Sequence, residues 1–234
     1  MYLKEFNAIS IKNNSKVKET SLIAAEDAIA LFVNDTKIAS LTATPNMLRE
    51  LAVGHLICEG MIDDSHDIMD VQDRGLEVRV QIRGDPQVKR ESNVLVNSNA
   101  KFTMDCIKNS LHHLGSEVYE KTRGTHSASL VDQDGNLVKK AIDVGRHNTV
   151  DKVVGSAILD GIDLHNLFLL STARQSAGIV MKVARAGIPV IVSKAAPISS
   201  GIESAKKMGV TLVCFAKKDN LSIYSHPDRI LVGG

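Results

Sequence analysis

The sequence predicts an α/β fold, α+β when the whole chain is taken together, and three observations carry that expectation. Short apolar runs LFLL (167–170), PVIV (189–192) and TLVCF (211–215) alternate with helical patterns at 148–160, 174–186 and 199–208. Such alternation builds a mostly parallel sheet covered on both faces by helices. Before residue 100 the pattern is instead two-residue alternation broken by turn residues, the mark of hairpins. Between the two rhythms lies GDPQVKRESN (84–93), charged and turn-rich, which reads as a linker or exposed loop. The chain therefore divides into residues 1–100 and residues 101–234, the first part smaller and β-rich.

Each element follows from its own residues. Residues 2–12 alternate loosely and predict a strand, followed by the polar run KNNSKVKETS. AIALFVN (28–34) and KIASL (37–41) flank Asp35 as a hairpin. After Thr44-Pro45, Leu48, Leu51, Ala52, His55 and Leu56 recur at helical spacing, with the helix ending near Gly60. DIMDVQD and LEVRVQIRG form a second hairpin around Gly75. Phe102, Ile107, Leu111, Leu114 and Val118 make a helical stripe, read as one helix over 104–119. SASLVDQDGNLVKKAID then gives two strands, 127–131 and 137–142, about an Asp-Gly-Asn turn.

Composition excludes several function classes. Twenty-eight Lys and Arg against 27 Asp and Glu leave a net charge of +1, so no global basic field points to nucleic acid. Aromatic content of 3% also argues against base-stacking platforms. The first residues, MYLKEFNAIS, lack the apolar core of a signal peptide, and no later run approaches a membrane span. Three cysteines without framework spacing fit free thiols in a reducing, cytoplasmic setting. There is no P-loop, G-x-G-x-x-G, C-x-x-C or G-x-S-x-G.

What remains is a thiol and three turns. Cys214 in TLVCF and Cys58 on the helix of Leu51 and Leu56 read as buried packing. Cys106, in KFTMDCIKNS (101–110), lies at a helix start capped by Thr103 or Asp105. The helix dipole there favours thiolate while Asp105 opposes it, and local chemistry leaves inert packing and reactivity both open. DVGRHNTVDK (143–152) runs from a strand end through Gly145 into a helix. That is the usual crevice of an α/β sheet, with Arg146 suited to phosphate and His147 and Asn148 to a ring. Asp151 and Lys152 follow one turn later, and the bland alternative is Asn148 as an N-cap with a solvated i, i+4 pair. Thr172 and Arg174 repeat the strand–turn–helix logic, as does SKAAPISSGIE, so three donor-bearing turns share one sheet edge. Lys217 and Lys218 add charge at that rim unless they are a plain exposed turn.

Taken together, TPNMLRELAVGHLICEGMI (44–62), RGTHSASL (123–130), DVGRHNTVDKVVG (143–155), STARQSAGIVMKVARAGIPVIVSKAAPISSGIE (171–203) and GVTLVCFAKK (209–218) resemble the FdhD/NarQ family. The resemblance spans nearly the whole chain in order. It implies a cytidine deaminase-like three-layer α/β/α domain at 101–234. It also implies a sulfur carrier for formate dehydrogenase. A cysteine takes persulfide sulfur from a cysteine desulfurase and passes it to molybdenum, or tungsten, in a bis(molybdopterin guanine dinucleotide) cofactor. That cofactor would be bound transiently, with no permanent metal, and the resemblance implies a homodimer. A zinc deaminase would need H-x-E and P-C-x-x-C, whereas the corresponding turns here read His147-Asn148-Thr149 and STARQS.

The family's reactive segment usually reads C-G-x-C-G-K. Aligning its lysine on Lys108 puts Thr103 at the first cysteine and Cys106 at the second. A two-thiol relay is then excluded, and the resemblance assigns the sulfur to Cys106 alone. The family's cofactor-contacting segment maps onto Phe215, Ala216, Lys217, Lys218, Asp219 and Asn220, where family members often carry a basic residue in place of Asn220. Two other functions stay open: a chaperone that escorts the pterin cofactor without covalent sulfur chemistry, and a metal-free guanine-nucleotide-binding enzyme.

Overall fold

The computed structural model describes residues 2–86 and 94–232, so most of the segment 84–93 lies outside the described residues. Strands β1 (Leu3–Lys12) and β2 (Ser15–Ala24) form a long antiparallel hairpin. The polar run 12–21, expected to be no strand, instead supplies the turn and most of β2. Asn13 and Asn14 both take left-handed backbone angles (φ 50° and 61°), the geometry of a tight hairpin turn. The strand β2 hides its identity because solvent bathes both of its faces, so no apolar alternation was required of it.

A four-stranded sheet follows, built from β3 (Asp27–Val33), β4 (Thr36–Ala43), β5 (Ile68–Asp73) and β6 (Glu77–Ile82) in the order β4-β3-β6-β5. Its two hairpins are the expected ones. Helix α1 (Leu48–Cys58) buries Leu48, Leu51, Ala52, Leu56 and Ile57 and packs against this sheet and against α4 (Arg146–Leu159). The two helices meet backbone to backbone at two glycines. A Cβ on Gly54 would lie 1.7 Å from the Asp151 carbonyl oxygen, and one on Gly155 would lie 1.9 Å from that of Glu50.

The larger sheet has six strands in the order β13-β12-β11-β10-β8-β9. These are β8 (His126–Val131), β9 (Leu137–Asp143), β10 (Phe168–Ser171), β11 (Val190–Ser193), β12 (Thr211–Cys214) and β13 (Ser222–Ser225). Only β10, β11 and β12 pair in parallel; β8 runs against both neighbours and β13 against β12. The expectation of a mostly parallel sheet is corrected to a mixed one. The tight turn at Asp134-Gly135-Asn136 and the short return after β12 cannot make parallel crossovers.

The strands alternate as a sheet buried on both faces must. Leu169, Ile191 and Leu212 point to one face, under α4, α5 (Ala177–Arg185) and α6 (Ser199–Met208). Phe168, Leu170, Val190, Val192 and Val213 point to the other, under Phe102, Ile107, Leu111 and Leu114. The single helix expected over 104–119 is broken into α2 (Met104–Ser110), a 3₁₀ turn at Leu111–Leu114, and α3 (Glu117–Thr122). Gly115 is extended, and Ser116 caps α3 by accepting from the Tyr119 N–H. Phe102 and Thr103 instead form the short strand β7 (Phe102–Thr103), paired in parallel with β14 (Ile230–Leu231) near the end of the chain. One apolar cluster runs from Ile29 to Cys214, so α1 and the four-stranded sheet share a core with the larger sheet. Among the described residues no helix is long and apolar enough to cross a membrane.

Candidate functional site

Because β9, β10, β11 and β12 run the same way, their carboxyl ends lie along one edge of the sheet, as the three-turn pattern predicted. Two adjoining hollows follow that edge. One, of about 720 Å³, is lined by Tyr119, Arg123, Thr125, His126, Thr172 and Lys194, among others. The second, of about 590 Å³, is lined by Lys108, Asn109, His112, Ala216, Lys217 and Lys218. Lys194 borders both, which makes them one groove. Carboxylates are scarce among the described lining residues: Glu120 borders the first hollow and none borders the second. A chain of almost zero net charge thus concentrates cations where a polyanion would lie.

Within the first hollow, Thr172 Oγ1 accepts from the Ser127 N–H at 3.0 Å and lies 3.3 Å from His126 Nδ1. Burial lowers the His126 pKa, and nearby Arg146 and Arg174 lower it further, so this imidazole is neutral near pH 7. The Thr125 and Ser127 hydroxyls are buried without a partner among the described residues. Unmatched hydroxyls beside a hollow suit a ligand with acceptors to offer. Next to Ala216 of the second hollow, Phe215 adopts φ 54° and is 41% exposed. A bulky residue held left-handed and solvent-facing is strained. Its loop is fixed by hydrogen bonds from Phe215 N to Ala195 O, Ala216 N to Ser193 O and Lys217 N to Asn220 O. Asp219 and Asn220 are exposed on the same loop, whereas Ala216 is 1% exposed and serves the core.

The turn at 143–148 behaves differently. Arg146 is half-buried and Arg174 exposed. His147 lies against the first turn of α5, 3.3 Å from where a Cβ on Gly178 would be, and burial followed by Arg146 and Lys182 lowers its pKa. Asn148, expected to meet a ligand ring, gives its amide hydrogens to Thr42 O at 2.7 Å and Asp143 Oδ1 at 2.9 Å. It braces the turn instead. Asp151 and Lys152 are not solvated either. Lys152 is fully buried, bound to Asp143 Oδ2 at 2.5 Å, Thr44 O at 2.8 Å and Asn46 Oδ1 at 2.8 Å. Asp151 binds Lys182 at 2.9 Å and lies 3.3 Å from His55, and Lys182 also reaches Glu59 at 2.7 Å. Sequence spacing showed Asn148, Asp151 and Lys152 but not their burial, because Thr42, Thr44, Asn46 and His55, which cover them, lie about a hundred positions away.

Cys106 opens α2 as expected, and Thr103 rather than Asp105 is its cap, accepting from the Cys106 N–H at 3.0 Å. The sulfur is half-buried and faces the β8–β9 turn, 3.8 Å from Asp132 O. Burial raises the Cys106 pKa, the nearby Ser110 hydroxyl works against that by favouring the charged form, and the Asp132 and Asp134 carboxylates raise it further. The opposing carboxylates therefore come from the turn, not from Asp105, and at rest the group is a thiol. Lys108 and Asn109, two and three positions on, line the second hollow, so one short helix carries both the thiol and part of the groove wall. Cys58 and Cys214 are fully buried, and burial pushes Cys214 up to about 12. Among the described residues no three His, Cys, Asp or Glu side chains converge as a metal centre requires.

Comparison with known proteins fits this geometry. The model of the FdhD/NarQ family matches residues 24–110 and 85–231. A sulfur carrier protein FdhD of Methanothermobacter thermautotrophicus is 33% identical, covering 87% of this chain and 89% of its own. One from Saccharolobus solfataricus is 31% identical, covering 97% and 98%. A crystal structure described as a formate dehydrogenase accessory protein from Desulfotalea psychrophila superposes with a TM-score of 0.89 at 28% identity, over 99% of this chain and 100% of that one.

Proposed function

The chain belongs to the FdhD/NarQ family, and from that premise we propose that it is a sulfur carrier in the maturation of formate dehydrogenase. The single observation that carries the proposal is the shared helix: α2 bears Cys106 and also lends Lys108 to a basic groove of two hollows. Cys106 takes sulfur from the persulfide of a cysteine desulfurase. Its thiolate attacks the outer sulfur, a new Sγ–S bond forms, the donor S–S bond breaks, and the donor leaves as a thiol carrying the proton that Cys106 gave up. The recipient is the metal, molybdenum or tungsten, of a bis(molybdopterin guanine dinucleotide) cargo. Delivery breaks the Sγ–S bond, returns Cys106 as thiolate, and draws from the metal the two electrons that make the sulfur a sulfide.

The cargo's diphosphates suit Lys194, Arg123, Lys217 and Lys218, with Arg146 and Arg174 behind His126. Thr125, Ser127 and Thr172 offer hydroxyls to a guanine or ribose. A second copy of the chain is part of the proposal. The β1–β2 hairpin exposes Phe6, Ile9, Ile11 and Ile23, and a two-stranded ribbon gains stability by packing on a partner.

The escort reading, without covalent chemistry, draws on the raised Cys106 pKa and on Thr103 standing where the family has its first cysteine. The two readings part in a reconstitution of inactive formate dehydrogenase with cofactor, desulfurase and cysteine. Sulfur transfer requires that Cys106→Ala fail to restore activity while Lys217→Ala restores it partly. Full activation by Cys106→Ala would leave only the escort.

A further inference from the structure

Cys106 must carry negative charge when it attacks and again when it carries sulfur as a persulfide anion, yet its surroundings disfavour charge. The turn facing it, Asp132–Asn136, presents the Asp132 and Gly135 carbonyl oxygens and the carboxylates of Asp132 and Asp134. Ser110 is the exception. Its hydroxyl is 1% exposed, one turn along α2, and lies 2.8 Å from Cys106 O and 3.3 Å from Gly135 O. The Gly135 carbonyl also takes His113 Nε2 at 3.0 Å, so the 3.3 Å contact is the weaker of the two open to the Ser110 proton, and the Cys106 carbonyl is its main acceptor at rest. A single point, the place of a Cβ on Gly135, lies 3.2 Å from Ser110 Oγ and 3.6 Å from Cys106 Sγ. Oxygen and sulfur therefore line the same small space, kept open by a glycine at φ +87°.

We propose that Ser110 is a positioning residue for sulfur transfer: its hydroxyl turns from the Cys106 carbonyl to the Cys106 sulfur whenever that sulfur is charged. This rests on the sulfur-carrier reading above. A serine bonded back to the carbonyl four residues earlier loses little by rotating, because that bond is a weak, local one. A hydrogen bond to a charged acceptor is stronger than one to a carbonyl, so ionisation itself drives the switch. Gly135 matters for the same reason: a side chain there would fill the space the rotating hydroxyl and an outer sulfur need.

The test is the pH dependence of Cys106 alkylation by iodoacetamide in the full-length protein, read by intact mass with peptide assignment. Cys58 and Cys214, buried, report on folding by staying unlabelled. Ser110→Ala is expected to displace the labelling curve to alkaline pH and slow labelling about tenfold near neutrality. Ser110→Thr, which keeps the hydroxyl, stays close to wild type. If Ser110→Ala exposes Cys58 and Cys214, the comparison passes to Ser110→Thr against the isosteric Ser110→Val. A wild-type curve in Ser110→Ala or Ser110→Val overturns the proposal. Loading with glutathione persulfide separates the two levels. Sulfur gained by wild type and lost in Cys106→Ala, with an unchanged Ser110→Ala curve, defeats this inference alone, whereas equal gain by Cys106→Ala defeats the carrier reading beneath it.

Discussion

Cys106 differs from Cys58 and Cys214 by degree of burial and by neighbours, not by a preset low pKa. Its acidity has to come from a shift in hydrogen bonding or from the positive groove, which makes the thiol quiet until a donor docks. The same scale holds a structural prediction. Lys152 and Asp143 are both buried, and removing one partner leaves the other charged in the core. Lys152→Met is expected to cost about 3–5 kcal/mol, read as a fall in the urea midpoint at unchanged slope. A loss within about 0.5 kcal/mol would mean Thr44 and Asn46 alone hold the turn. These residues also mark what the sequence could and could not say. The positions of Cys106 at a helix start and of Lys217 and Lys218 past a strand end were legible because they follow from local patterns. Asn148, Asp151 and Lys152 were misjudged because their roles depend on Thr42, Thr44, His55 and Lys182, which only the tertiary fold brings near.

Helix α1 meets α4 backbone to backbone at Gly54 and Gly155, and that contact ties the four-stranded sheet to the larger one. Gly155→Ala has nowhere to put its methyl except into the Glu50 carbonyl, so the helices must separate. The expected loss is about 3 kcal/mol or more, seen as a lower melting temperature. At the other end of the site, β14 pins β7, whose Thr103 is the cap of α2, and Ile230 packs with Phe102 and Ile107. Ile230→Ala is expected to speed amide exchange in 102–114 while leaving α4 and α5 protected. Equal acceleration throughout would show that β14 supports the whole core rather than α2. The elements themselves were largely readable, since period-two and helical stripes record which faces are buried. The β2 strand and the break after α2 were not, because β2 buries no face and the break depends on one extended glycine.

Over the whole molecule, charge is paired inside and unbalanced at the groove. Burial alone would raise Asp151, but Lys182 and His55 outweigh it and hold its pKa below the ordinary 3.8. Its contribution to stability is complete above that value and is lost as pH falls through the lower folded pKa. For Lys182 burial pulls the pKa down and Asp151 with Glu59 more than reverses it, so its contribution holds below its ordinary 10.5 and fades only at more alkaline pH. Asp151→Asn should therefore lower stability at neutral pH and flatten the acid limb of the stability curve. An acid limb of unchanged slope would remove Asp151 from that account. The groove is expected to bind guanosine diphosphate with an affinity that falls as salt rises, and Lys194→Ala, touching both hollows, weakens it about tenfold. The central claim is that one thiol, Cys106, carries the sulfur. Its most direct test is intact-mass analysis after incubation with a cysteine desulfurase and cysteine. Wild type is expected to gain one reducible sulfur that peptide mapping assigns to Cys106, and Cys106→Ala none. A gain of the same size on Cys106→Ala would contradict the claim.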